Sequence, residues 1–151
     1  MSNASLKAVM PLMFLASCVT THPTHYWCTP NSMVAVSIEE ALQQNPLATN
    51  QEIRITNLGI AHDVSHHLVQ VRTRESPHFH KDHDLTVFIY RGHGKIMVGS
   101  NNFPLHNGDS LFIPRGVVHA FRNEGSIPAV AIAVFTPGFD GQDTIPSAEV
   151  K

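Results

Sequence analysis

Two short stretches of this chain hold residues whose types and spacing could do chemistry. In the first, Pro77-His78-Phe79-His80-Lys81-Asp82-His83-Asp84, His78 and His80 are two residues apart on a segment that reads as extended. Side chains two apart on a strand share a face, so one strand can offer two imidazoles to one ion. The second stretch runs from Gly108 to Asn123 and carries Pro114, Gly116 and His119. Gly108 allows the positive backbone angle of a hairpin turn, Pro114 and Gly116 shape a tight turn that no central strand would tolerate, and His119 then starts a strand. Histidine is the commonest metal ligand, and eleven of them in 151 residues tilt the composition toward metal.

The elements that must position these residues are mostly strands. From Glu52 onward, runs rich in β-branched and aromatic residues (Ile53 to Ile55, His67 to Val71, Leu85 to Tyr90, Ile96 to Val98, Ser110 to Ile113, Ala129 to Phe135) alternate with turn clusters. Asn107-Gly108 is the strongest hairpin signal among them. Many short, closely spaced strands without intervening helices imply a sandwich or barrel rather than βαβ units. Ahead of them, Ser37 followed by Glu40 matches a capping box and predicts a short helix that ends near Asn45, before Pro46, and packs outside the barrel. Val19 to Asn31, with its threonines and prolines, reads as a tether.

The segment Gly108–Asn123 fits G-x5-P-x-G-x2-H-x3-N at every fixed position, a match expected by chance on the order of 10⁻⁴ or more rarely. Through it the chain resembles the cupin superfamily. The resemblance implies an all-β fold, a double-stranded β-helix or jelly-roll barrel, with a short N-terminal helix. It also implies that His78, His80 and His119 are the nitrogen ligands of one divalent transition metal, and ligand type alone does not choose among Fe, Mn, Ni, Cu and Zn. The family usually adds a glutamate from the strand after the first motif, and here the sequence departs from it. Counting from His80 puts Asp84 in the acidic slot, whereas counting back from Gly92 puts Leu85 there. One residue of offset reverses the face of a strand, and a bulge near Asp84 would reconcile the counts. The expectation is Asp84 as fourth ligand or as a group orienting the ligands, with Leu85 in the core.

The remaining histidines are less informative. His83 flanks the site as a candidate proton relay or substitute ligand, and one of His66 and His67 must face inward. His62, His93 and His106 fall at or near turns, where exposure is expected. Gln70 and Arg72 share a parity and are either polar cavity groups or solvated.

Composition sets the wider frame. With 42% hydrophobic and 15% charged residues and a formal charge of −2, the chain is globular and has no long-range pull toward nucleic acid. Lys7, the apolar stretch Ala8 to Leu15 and then Leu15-Ala16-Ser17-Cys18 resemble a bacterial lipoprotein signal, which implies a lipid anchor on Cys18 and a cell-envelope location. The expected layout is a signal over 1–18, tether and helix over 19–50, barrel over 51–140 and tail over 141–151. Two functions compete: a metal-dependent enzyme (a dioxygenase first, then an isomerase or hydrolase) acting on a small chelating molecule, or a non-catalytic module that captures a small ligand or metal. A homodimer formed by lending Glu52 to Leu58 to a neighbour is the expected assembly.

Overall fold

The computed structural model describes residues 22–147. Two five-stranded antiparallel sheets face each other, in the orders β3-β4-β11-β6-β9 and β12-β5-β10-β7-β8. The first contains β3 (Ile53–Ile60), β4 (Ser65–Val71), β6 (Asp84–Arg91), β9 (Ser110–Ile113) and β11 (Ala129–Thr136). The second contains β5 (His78–Phe79), β7 (Gly94–Val98), β8 (Asn101–Leu105), β10 (His119–Asn123) and β12 (Ile145–Pro146). Successive strands pass back and forth between the sheets, which is the jelly-roll barrel that the resemblance implied. The core between them includes Val71, Leu85, Ile89, Ile96, Ile113, Phe121 and Phe135.

A second apolar cluster lies outside the first sheet. The helix α1 (Ile38–Gln44) lays Ile38, Ala41 and Leu42 on Leu58, Leu68 and Val130. Seven residues are too few to hold a helix in water. Burying Ile38 and Leu42, at roughly 1.5–3 kcal/mol each, supplies what local propensity lacks. Two bulges aim residues at this layer. In β3 the register with β4 shifts between Asn57 and Gly59 and leaves Leu58 to the helix. In β6 the pairing with β11 skips Tyr90, whose hydroxyl donates to Glu39 Oε1 at 2.8 Å.

Three expectations need correction. Residues read as tether form a hairpin, β1 (Thr24–Thr29) and β2 (Ser32–Ser37), whose Trp27 ring lies so close to Gly59 that a Cβ there would come within 2.2 Å of it. Asn107-Gly108 does turn, with Gly108 at φ 90°, but it connects β8 to β9 across the two sheets instead of closing a hairpin. Gly99-Ser100 forms a further two-residue hairpin turn, between β7 and β8, a strand absent from the runs expected from the sequence. Pro104 is accommodated there because β8 is an edge strand. The signal segment and Cys18 lie outside the described residues.

Candidate metal centre

His78 and His119 stand directly opposite each other on β5 and β10. His80 follows β5 on the same face, as its spacing requires. One ring nitrogen from each of the three lies within 4.8 Å of the others. The Nδ1 atoms face the opposite way, each against a backbone carbonyl. His78 Nδ1 donates to Ser76 O at 2.9 Å, His80 Nδ1 to Asp143 O at 2.7 Å and His119 Nδ1 to Val117 O at 3.0 Å. A carbonyl can only accept, so each proton sits on Nδ1 and each Nε2 keeps a lone pair. Holding the second nitrogen in this way fixes tautomer and ring orientation in metal-binding histidines. Three such lone pairs converging on one point fit a divalent ion.

Burial reinforces the neutral state. His119 is 3% exposed, and desolvation pulls its pKa down to about 4 against the opposing hydrogen bond to Val117. His80 is lowered as well, chiefly by burial, with the Asp143 carbonyl opposing. Its ring stands edge-on to Phe135 and Phe139, with centroids at 4.9 and 5.4 Å. The three histidines line a cavity of about 280 Å³ whose other walls are almost wholly aliphatic and aromatic.

Asp84 is not brought to this group, and the bulge that would have reconciled the two counts is at Tyr90, six residues further along β6. The strand is regular from Asp84 to Ile89, so Asp84 and Leu85 take opposite faces. Leu85 lines the cavity, as expected. The Asp84 carboxylate accepts from Arg115 through its backbone N–H (2.9 Å), Nε (3.1 Å) and Nη2 (2.8 Å), and these bonds hold its pKa at about 2.

His83 is buried but turned away from the trio. Its Nδ1 donates to Asp143 Oδ2 at 2.6 Å and its Nε2 lies 3.3 Å from Gly138 O, so neither nitrogen is free for an ion. His67 is the inward member of its pair and bonds Ser65 Oγ at 2.8 Å. Gln70 and Arg72 do not line the cavity; they hold the loop after α1 through Asn45 O, Gln51 O and Ala48 O.

Two residues were missed. Asp143 accepts His80 through its carbonyl, while its carboxylate accepts the Lys81 and Asp82 amide N–H groups and His83. Burial alone would raise its pKa, but these bonds together lower it. Glu75, three residues before His78, lines the cavity. Asp143 lies about sixty residues from its partners, and Glu75 falls outside both motifs, so neither left a local signal.

Residues 65–135 match the family model for the cupin domain, a span that carries all three histidines. The chain belongs to the cupin family. An uncharacterized protein of Aquifex aeolicus is 35% identical over 108 residues, covering 72% of this chain and 88% of its own. Among solved structures, an uncharacterized conserved protein with a double-stranded β-helix domain from Klebsiella pneumoniae is 19% identical with a TM-score of 0.60, over 70% of this cupin and 95% of that chain. Oxalate decarboxylase of Lactobacillus farciminis is 21% identical with a TM-score of 0.54, over 62% of this cupin and 30% of the decarboxylase. At these identities the structural likeness is one of fold.

Proposed function

We propose that this cupin is a metal-dependent enzyme that binds a divalent transition metal through His78, His80 and His119 and acts, in the manner of a dioxygenase, on a small chelating molecule. The observation that carries it is the trio of Nε2 lone pairs facing a mostly apolar cavity of about 280 Å³, with Nδ1 of every ring held by a carbonyl. Three protein ligands leave coordination positions for substrate and oxygen, and a bound ion of this kind polarises an oxygen ligand. The protein's own contribution is to orient the imidazoles, to exclude water with Leu85, Val87, Phe135 and Phe139, and to limit the size of what enters. A fold neighbour named for decarboxylating oxalate, itself a small chelator, is consistent with chemistry at such a centre.

The test is metal analysis of protein purified without chelator or nickel resin, followed by oxygen uptake with a panel of small chelators. Stoichiometric metal with substrate-dependent uptake is expected; metal without turnover of any kind would favour the ligand-capturing module. Within the same proposal, Cys18 carries a lipid that anchors the protein at the cell envelope, checked by fatty-acid labelling of wild type and Cys18→Ser. Pairing of two chains through the edge strand β3, where Ile55 lines the cavity yet remains 52% exposed, is checked by the solution mass of the protein.

A further inference from the structure

The cavity wall carries one acidic side chain. Glu75 lies opposite Phe121, with its N–H donating to Phe121 O at 2.8 Å and its Oε2 accepting the Phe121 N–H at 3.0 Å. On β10, Phe121 is two residues beyond His119 and faces the same way, so the carboxylate is anchored one layer of side chains from the histidines, roughly 7 Å along the strand. Among the described residues, nothing donates a hydrogen bond to Oε1. Glu75 as a residue keeps some exposed surface, but its carboxyl is withdrawn from water, which raises its pKa, with His78 and the Phe121 N–H opposing. The other polar side chains of the wall, apart from the three histidines, are the neutral Ser76 and Thr144.

Glu75 Oε1 therefore has no donor from the wall of a mostly apolar chamber, and what fills the chamber can hydrogen-bond to it. Resting on the metal-site reading above, we infer that the ligand of this cupin is a small chelating molecule whose short apolar body ends in a hydroxyl group, and that Glu75 hydrogen-bonds that hydroxyl.

The experiment uses the full chain loaded with cobalt(II), whose visible spectrum reports ligand entry without turnover. The probes are alkyl hydroxamates with three-, four- and five-carbon chains, and the same three bearing a terminal hydroxyl. In wild type, at least one hydroxylated probe is expected to bind about tenfold tighter than its parent, the scale of a well-made buried hydrogen bond. In Glu75→Gln, which keeps an acceptor for Phe121 N–H, that preference should shrink severalfold, and in Glu75→Met it should vanish or reverse. Equal binding of hydroxylated and parent probes at every length in wild type overturns the inference and leaves the metal site standing, as does an undiminished preference in both variants. Failure of the chain to hold cobalt overturns the metal reading and this inference with it, whereas a bound-cobalt spectrum that no hydroxamate perturbs overturns this inference alone.

Discussion

Among the described residues, a trio of histidines inside the barrel and a pair outside it each come close together, and only the trio is built to hold an ion. Inside the barrel, His78, His80 and His119 give each Nδ1 proton to a backbone carbonyl and leave three lone pairs facing one point. Outside it, His25 of the hairpin and His66 of β4 also touch, and burial lowers both pKa values. There, however, the rings use their nitrogens on each other, His66 Nδ1 against His25 Nε2 at 3.3 Å, with Trp27 packed edge-on at 5.1 Å. Proximity is common to both. The difference is the set of carbonyls behind the rings, supplied by Ser76, Val117 and Asp143, which the outer pair lacks.

The comparison breaks most visibly if a ligand is removed. His119→Ala leaves two imidazoles from one segment, and metal affinity should fall by more than about 100-fold, beyond the loss typical of outer partners. His66→Ala should leave metal content unchanged. Metal per chain after dialysis against a graded competitor distinguishes the two, and retention of the ion by His119→Ala would remove the basis for the contrast.

Asp143 sharpens it next. Asp143→Ala keeps the carbonyl that accepts His80 but frees the Lys81 and Asp82 amides and His83, so the loop carrying His80 loses its anchor. Affinity should drop roughly 10-fold or more, with Asp143→Asn in between. Unaltered binding in Asp143→Ala would mean that β5 alone positions His80.

The third prediction concerns pH in the metal-free protein. His119 has a folded-state pKa of about 4 against 6.5 when unfolded, so the folded form binds fewer protons. Its stabilising contribution is complete above pH 6.5 and is lost as pH falls toward 4, about 3 kcal/mol in all. Denaturant unfolding across that range should show the decline, and His119→Asn should flatten it. His66 is more exposed, and its replacement should flatten the decline much less.

How much of this was legible beforehand follows from the range of the interactions involved. His78 and His80 were readable as a pair because strand periodicity puts them on one face, and His119 joined them through the motif that resembles the cupins, both of which are local signals. Strand existence was readable for the same reason wherever β-branched residues cluster, as in β4 and β11. The hairpin β1–β2 was not, because Pro30-Asn31 and flanking threonines resemble a linker until β3 offers Gly59 as a seat for Trp27. The acidic partners were misjudged in both directions. Asp84 lay at the motif spacing but is claimed by Arg115, whereas Asp143 and Glu75 lay outside any spacing and reach the site through tertiary folding.

Asp84 supplies the smallest expected effect and the most pointed one. If the inner trio is sufficient because carbonyls orient it, a nearby carboxylate that never turns inward should not matter to the ion. The alternation along β6 is unbroken from Asp84 to Ile89, and Leu85 occupies the cavity face, so reaching the metal would require slipping the strand by one residue against both β9 and β11. Such a slip would turn Leu85, Val87 and Ile89 out of the core, a cost of several kcal/mol that one carboxylate–metal contact must overcome. Asp84→Asn should therefore change metal affinity by less than about twofold, far below the roughly 10-fold of even an outer partner. Its effect on stability should be small as well, since the pair with Arg115 lies at the surface, where solvent screens it. Competitor titration of metal from Asp84→Asn beside Asp143→Ala gives the reading. A tenfold loss in Asp84→Asn would show that β6 rearranges around the ion and that the three carbonyl-backed imidazoles are not enough.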